Sequence, residues 1–136
     1  PGVKTWSEKT MEEAKKSGQV ATFTGRRRAL PELKASNPHL RSFAERAAVN
    51  TPVQGGSADI IKKAMVTLFA RFRHSKDVFM LLQVHDELIF EVRKEKLHEA
   101  ALHIKKEMEG AYTLAVPLKA DLKTGPNWLD MVKYEV

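Results

Sequence analysis

The residues best suited to chemistry form the triplet His85-Asp86-Glu87, which lies between two apolar, β-favouring runs at residues 78–84 and 88–92. Three polar residues between two such runs predict a β-hairpin with the triplet at its tip. A rigidly held carboxylate at a strand junction suits Mg²⁺, which takes a few carboxylate oxygens together with phosphate oxygens. An ordinary turn with Asp86 as its turn residue and Glu87 in solvent gives the same pattern, so the spacing leaves both interpretations open.

The spacing of possible ligands gives less support to chelation of one ion by both acids of the triplet, or to a zinc site elsewhere. Adjacent side chains of an extended backbone point to opposite faces, so Asp86 and Glu87 are not expected to chelate one ion together. A site for two metal ions would need another carboxylate from elsewhere. His98 and His103 are not expected to share a zinc ion, because residues five apart on a helix lie about 140° apart around its axis.

A second set of polar side chains recurs every four residues, at Arg46, Asn50 and Gln54. If helical geometry persists beyond Pro52, Arg46 and Asn50 share a face that Gln54 extends. Such a row of donors can contact the acceptors that every base pair offers in the minor groove of a duplex. The solvated face of an amphipathic helix gives the same row. The run Arg26-Arg27-Arg28 is likewise either a phosphate contact or a charged turn.

Composition limits the class of protein that these residues belong to. The 136 residues include 43% hydrophobic residues and no Cys, which indicates one folded domain or a piece of one, without disulfides, thiolate metal sites or thiol catalysis. No apolar run approaches the roughly 20 residues that cross a membrane. We therefore expect a soluble intracellular protein, and the composition indicates nothing further about its compartment.

Charge is unevenly distributed along the chain. Residues 1–76 hold 15 Lys and Arg against 6 Asp and Glu, a net charge of +9, whereas residues 77–136 hold 8 against 11, a net charge of −3. A basic half and an acidic half indicate that one surface meets a polyanion such as nucleic acid while another carries carboxylates. A solvated, lysine-rich surface gives similar totals.

The secondary structure around these residues is predicted from hydrophobic periodicity and from the positions of Gly, Pro and capping residues. Good helix formers at residues 4–17 end at Gly18, and residues 20–24 are a short strand candidate before the arginine run. Asn37 and Pro38 predict the start of a helix that ends near Asn50, because proline at position 52 cannot continue it.

A break at Gly55-Gly56 is expected to precede a second helix, capped by Ser57 or Asp59 and running to about His74. Its apolar face, like that of a further helix over residues 94–110, recurs at helical spacing. A last strand is predicted at residues 116–123. The order predicts an α+β fold in which the hairpin and this C-terminal strand form one antiparallel sheet packed with helices.

Several motifs in this order resemble DNA polymerase family A, the DNA polymerase I type. The segment Gln83-Val84-His85-Asp86-Glu87-Leu88 is similar to the third conserved motif of the family's palm subdomain. The upstream matches are Gly25-Arg26-Arg27-Arg28, then Ala44-Glu45-Arg46-Ala47, and then Asn50-x-Pro52-x-Gln54-Gly55-x-x-Ala58-Asp59-Ile60. The resemblance covers almost the whole chain, and Gly56-Ser57 replaces the Thr-Ala of many relatives.

The resemblance implies roles for these residues in template-directed DNA synthesis during replication or repair. Asp86 would be a catalytic ligand of two Mg²⁺ ions, Glu87 a secondary carboxylate near the metals, and His85 a contact to the primer end. Arg46, Asn50 and Gln54 would touch the minor groove of the primer–template DNA, and Arg26, Arg27 and Arg28 would contact its phosphates. Glu87 favours the DNA polymerases over related single-subunit RNA polymerases, which usually carry His-Asp-Ser.

The resemblance also implies parts that residues 1–136 do not contain. No stretch resembles the first palm motif with the second metal-binding Asp, or the fingers helix that grips a deoxynucleoside triphosphate. We therefore expect residues 1–136 to be the C-terminal part of a palm subdomain, inactive alone, whose remaining palm and fingers belong to the same chain or to a separate subunit of a split enzyme. A non-catalytic, basic DNA-binding remnant and a purely structural α+β domain are the alternatives.

Overall fold

The computed structural model describes residues 2–136, so Pro1 of the predicted domain lies outside the described residues. The chain divides into two compact units, one ending at Asp59 and the other beginning at Ile60. The long second helix spans this boundary, so each unit contains part of it.

The first unit begins with helix α1 (Gly2–Ser17), which ends where the sequence predicts. Gly18 adopts a left-handed φ of +73° and its N–H donates to the carbonyl of Ala14 at 2.8 Å, which closes the helix end. Strands β1 (Gln19–Ala21) and β2 (Arg27–Ala29) then pair antiparallel, and a short 3₁₀ helix follows at Pro31–Lys34. The predicted strand at residues 20–24 is thus shorter and begins one residue earlier.

Helix α2 (Pro38–Phe72) is one helix of 35 residues, so the predicted end near Asn50 and the predicted break at Gly55-Gly56 are wrong. Its start is as expected, because the side chain of Asn37 accepts a hydrogen bond from the His39 N–H at 2.9 Å. Pro52 lies inside the helix. Since there is no second helix start, neither Ser57 nor Asp59 acts as an N-cap.

The two glycines of α2 serve close packing against the turn between β1 and β2. A Cβ atom on Gly55 would lie 2.7 Å from Cγ2 of Thr22, and one on Gly56 would overlap the ring of Phe23. Only glycine lets the turn approach the helix this closely, which explains why a helix-breaking residue type occurs within a continuous helix. The core of this unit lies between α1, the 3₁₀ helix and the first half of α2, and contains Ala14, Val20, Leu30, Leu33, Ala44, Ala47 and Ala48.

The second unit combines the end of α2 with a hairpin, a helix and a short C-terminal sheet. Strands β3 (Val78–Val84) and β4 (Glu87–Val92) form the predicted hairpin, and α3 (Leu97–Glu109) follows a 3₁₀ turn at Lys94–Lys96. The core contains Leu68, Val78, Ala100 and Ile104, with Phe72, Leu88, Phe90, Val92, Met108 and Leu122 packed against it. The apolar faces predicted for the end of α2 and for α3 therefore both point into this core.

The C-terminal region differs from the sequence-based expectation in its pairing. Strand β5 (Leu122–Thr124) covers only the end of the predicted strand at residues 116–123, and it pairs with β6 (Val132–Tyr134) rather than with the hairpin. Within residues 2–136 the strands form three separate two-stranded antiparallel sheets. The α+β class is confirmed, whereas the single sheet of hairpin and C-terminal strand is not formed. None of the helices in the described part of the chain has the length and apolarity that crossing a membrane requires.

The second core predicts a large stability effect at Leu68, which is 0% exposed. We expect Leu68→Ala to lower the free energy of unfolding by about 3 kcal/mol, because it removes buried methyl groups and leaves a cavity. Urea denaturation measures this change. Val66→Ala, at a position of the same helix that is 70% exposed, is the matched control and should change stability by less than about 0.5 kcal/mol. Equal effects of the two variants would contradict this assignment of the core.

Candidate metal and nucleic-acid site

The hairpin tip is a turn of two residues rather than three. Val84 pairs with Glu87, so Glu87 is the first residue of β4 and only His85 and Asp86 form the turn. His85 has a left-handed φ of +55°, which is uncommon for a residue other than glycine, although His, Asn and Asp adopt it more readily than most. The Gln83 side chain donates to the His85 carbonyl at 2.5 Å and so ties the turn to the end of β3.

This turn presents Asp86 to solvent on a rigid support. Asp86 and Glu87 are exposed, and neither makes a side-chain hydrogen bond or ion pair within residues 2–136. The strands behind them are held by Val78, Leu88 and Phe90, which belong to the second core. The arrangement leaves the Asp86 carboxylate free to accept a cation or donors from a ligand, because none of its capacity is used within the fold.

Carboxylates and imidazoles do not otherwise converge in the described residues. No group of three or more His, Cys, Asp or Glu side chains that could hold a metal ion occurs among residues 2–136. Mg²⁺ is commonly held by one or two carboxylates together with phosphate oxygens and water. Asp86 therefore fits as one protein ligand of such an ion, and Glu87 follows it directly at the start of β4.

The polar row on α2 is a continuous feature because the helix does not break at Pro52. Arg46, Asn50 and Gln54 are exposed and have no side-chain partner within the described part of the chain. With 100° and 1.5 Å per residue, the row turns through about 80° and extends about 12 Å along the helix. The condition on which the sequence-based expectation depended, helical geometry as far as Gln54, is thus met.

The three arginines of the run 26–28 have different surroundings. Arg26 Nε donates to Asp59 Oδ1 at 2.7 Å and its Nη2 donates to the carbonyl of Gly55 at 3.0 Å. Arg28 Nη1 donates to the hydroxyl of Thr51 at 3.2 Å. Arg27 is exposed and has no side-chain hydrogen bond or ion pair among residues 2–136. Two of the three predicted phosphate contacts, Arg26 and Arg28, therefore have partners within the described residues, whereas Arg27 has none there.

Asp59 has a role that the sequence analysis did not predict, since it was expected only as a possible helix N-cap and as part of a motif. Its Oδ2 accepts from Thr24 at 2.5 Å and from Thr22 at 2.8 Å, in addition to the ion pair with Arg26. The hydroxyl of Thr24 first, and then Thr22 and Arg26, lower the pKa of the Asp59 carboxyl from 3.8 to about 2, against the opposing effect of desolvation. The partners lie 33 to 37 residues away in the chain, so no local pattern could have identified them.

Comparison with known proteins gives one consistent result. The model of DNA polymerase family A matches residues 1–130 of this chain. DNA polymerase I of Geobacillus stearothermophilus is 50% identical over 131 residues, which are 96% of this chain and 15% of that protein. The thermostable DNA polymerase I of Thermus aquaticus is 49% identical over 129 residues, again 15% of its length. The chain thus spans about 15% of the length of these relatives.

A solved structure agrees with this result. The POL domain of Pol1 from M. smegmatis, in complex with DNA primer-template and dNTP, is similar with a TM-score of 0.82 and 44% sequence identity. The similarity covers 87% of this chain and 21% of that chain.

The hydrogen bonds to Asp59 predict a specific loss of stability in acid. Because the folded pKa of about 2 lies below the ordinary 3.8, the contribution of Asp59 is complete above about pH 4 and is lost as the pH falls through about 2. We expect the unfolding free energy of Asp59→Asn to decline less steeply than that of the wild type over this range, as measured by urea denaturation at each pH. Asp121→Asn removes one carboxylate outside the network and controls for net charge. A wild-type slope in Asp59→Asn would contradict the prediction.

Proposed function

This chain belongs to DNA polymerase family A, and on that basis we propose that it forms part of an enzyme that adds deoxynucleotides to a primer 3′-hydroxyl under direction of a template. The observation that carries the proposal is the two-residue turn between paired strands, which presents the exposed Asp86 with no side-chain partner among residues 2–136. A carboxylate held in this way is suited to metal-assisted nucleotidyl transfer. We place such an enzyme inside the cell, where its DNA substrate is found.

We further propose that residues 1–136 are the C-terminal part of a palm subdomain. The first palm motif, with a second metal-binding carboxylate, and the nucleotide-gripping fingers would come from polypeptide outside this stretch, in the same chain or in a partner subunit. The proposal is supported by the small share of its relatives that the chain spans, 15% of their length. It is also supported by the lack, among residues 2–136, of any group of three or more His, Cys, Asp or Glu side chains that could hold a metal ion.

Asp86 would hold Mg²⁺ in the completed site, with Glu87 as a secondary carboxylate nearby. When bound, Mg²⁺ supplies a lower pKa for the primer 3′-hydroxyl and charge neutralisation for the triphosphate. The protein would contribute by holding the Asp86 carboxylate in position. The hydrogen bond from Gln83 to the His85 carbonyl and the paired strands support the turn that carries it. His85, beside Asp86 in the turn, would contact the primer end.

The row on α2 would contact the primer–template DNA from the minor groove side. Each base pair offers acceptors there at positions that depend little on sequence, so donors from Arg46, Asn50 and Gln54 can sense the shape of a correct pair without reading its identity. A mismatched pair displaces those acceptors and loses the hydrogen bonds. Arg27, the arginine of its run without a side-chain partner among residues 2–136, would contact a phosphate.

The proposal predicts that Asp86→Ala abolishes primer extension while DNA binding survives. Loss of a metal ligand removes several kcal/mol of transition-state stabilisation, so we expect the extension rate to fall by at least about a thousandfold. Gel-based primer extension and fluorescence anisotropy with the native polypeptide measure the two properties. Asp121→Ala, an exposed carboxylate of the same unit, is the matched control.

Two results would count against the proposed role of Asp86. Retained turnover in Asp86→Ala would remove it from catalysis. Salt-sensitive DNA binding by a wild-type protein that never extends a primer would instead favour a non-catalytic DNA-binding remnant.

The minor-groove contact predicts that Gln54→Ala weakens extension, most strongly from mismatched primer ends. One lost hydrogen bond to a base edge corresponds to a change of about tenfold. The measurement compares kcat/KM for matched and mismatched ends. Val53→Ala, at the adjacent exposed position of the same helix, is the control. Unchanged kinetics on mismatched ends would argue against contact between Gln54 and the groove.

A further inference from the structure

A cluster of side-chain hydrogen bonds outside the proposed catalytic turn joins residues 22–26 to α2. Asp59 is its centre, with a side chain that is only 11% exposed and that accepts from Thr22, Thr24 and Arg26. The turn itself is closed by two backbone hydrogen bonds, in which the N–H of Thr22 donates to the Arg26 carbonyl and the N–H of Gly25 donates to the Thr22 carbonyl. The cluster therefore connects one preformed turn to one carboxylate.

The packing at this junction is as specific as the hydrogen bonding. Gly55 and Gly56 leave room for Thr22 and Phe23 that a Cβ atom on either glycine would remove. Arg26 also reaches the carbonyl of Gly55, one turn of helix before Asp59. Steric fit and ion pairing thus act on the same short stretch of α2.

Gln54 lies within this stretch. The next residue is Gly55, whose carbonyl accepts a hydrogen bond from Arg26. Three residues before Gln54 is Thr51, whose hydroxyl accepts one from Arg28. The contacts on both sides of Gln54 come from the same arginine run. Between these two arginines lies Arg27, the one without an internal partner in the described residues.

We infer that Asp59 is a positioning residue, which acts through Arg26, Thr22 and Thr24 to hold the arginine run against α2, so that Gln54 and Arg27 present their donors to one duplex at a fixed separation. The inference rests on the proposed function, because it assigns Asp59 to the same DNA contact. It also changes the role of Arg26 from a phosphate contact to a link between Asp59 and the backbone beside Gln54. The two donors that remain free would meet a base edge and a phosphate.

A positioning role and a purely stabilising role predict different kinetics. Loss of stability lowers the fraction of active enzyme, which changes extension from matched and mismatched ends by the same factor. Loss of position changes the ratio of kcat/KM between matched and mismatched ends, because Gln54 no longer meets the groove at its proper distance. This ratio is independent of how much enzyme is folded.

The test is a double-mutant cycle of Asp59→Asn and Gln54→Ala in the native polypeptide, read out as that ratio. We expect Asp59→Asn alone to change the ratio by about fivefold in the same direction as Gln54→Ala. The double variant should differ from Gln54→Ala by less than about twofold, since the two residues act through one contact. Glu107→Gln, which breaks the ion pair of Arg71 with Glu107 at 3.4 Å, controls for the loss of an arginine–carboxylate pair and should leave the ratio unchanged.

A milder pair of variants covers the case in which Asp59→Asn does not fold. Thr24→Val removes one hydroxyl from the cluster, while Thr24→Ser keeps it, and Thr24 is exposed. We expect Thr24→Val to shift the ratio and Thr24→Ser to restore it. An unchanged ratio in Asp59→Asn or, where that variant does not fold, in Thr24→Val would overturn the inference, as would a double variant whose effect is the product of the two single effects.

Failure of the proposed function has a separate signature. If the wild-type polypeptide does not extend matched primers at all, the proposed polymerase role fails and the inference fails with it. If the wild type extends primers and Gln54→Ala changes the ratio while Asp59→Asn does not, only the positioning role of Asp59 is overturned.

Discussion

Helix α2 continues through Pro52 although proline lacks the N–H that would bond the carbonyl four residues earlier. The polar row of α2 and the junction between α2 and the turn after β1 both depend on this continuity. It places Arg46, Asn50 and Gln54 on one helix surface, and it carries Gly55, Gly56 and Asp59 at the spacing that receives the turn between β1 and β2. The helix is stabilised over its length by tertiary contacts, since its first half packs in one core and Leu68 is buried in the other.

Two aspartates illustrate how surroundings separate structural from chemical roles. Asp59 accepts hydrogen bonds from two hydroxyls and one guanidinium, which lower its pKa to about 2 and use its oxygens within the fold. Asp86 lies in a turn that is closed by paired strands and by the Gln83 hydrogen bond to the His85 carbonyl, but its side chain has no partner in residues 2–136. An exposed carboxylate whose oxygens have no partner in the fold is available to bind a cation, whereas a fully hydrogen-bonded one holds structural elements together.

Local chemistry was enough to predict the ends and faces of several elements. Gly18 closes α1 in the left-handed conformation, Asn37 caps α2, and the apolar runs around residues 85–87 form the hairpin. The same local reasoning failed at Gly55-Gly56, because glycine signals both a chain break and a close approach, and only contact with Phe23 distinguishes them. The pairing of β5 with β6 was missed for a different reason, because strands of three residues are too short to show a periodic pattern.

The candidate functional residues could be predicted from the sequence, whereas their contacts with other segments of the chain could not. Asp86 and the row on α2 are recognisable from residue type, spacing and motif, and they stay predictions as functional residues. The different surroundings of Arg26, Arg27 and Arg28, and the role of Asp59, depend on contacts between segments more than 20 residues apart, which a single sequence does not encode in any local pattern. These contacts decide which arginine is free to meet a phosphate.

Single-nucleotide incorporation is the sharpest test of the proposal that this chain forms part of a template-directed DNA polymerase. The native polypeptide is incubated with four primer–templates that differ only in the first unpaired template base, each with one deoxynucleoside triphosphate at a time. We expect the primer to be lengthened by the complementary nucleotide on every template. Retention of DNA without lengthening on any template, or lengthening that ignores the template base, would contradict it.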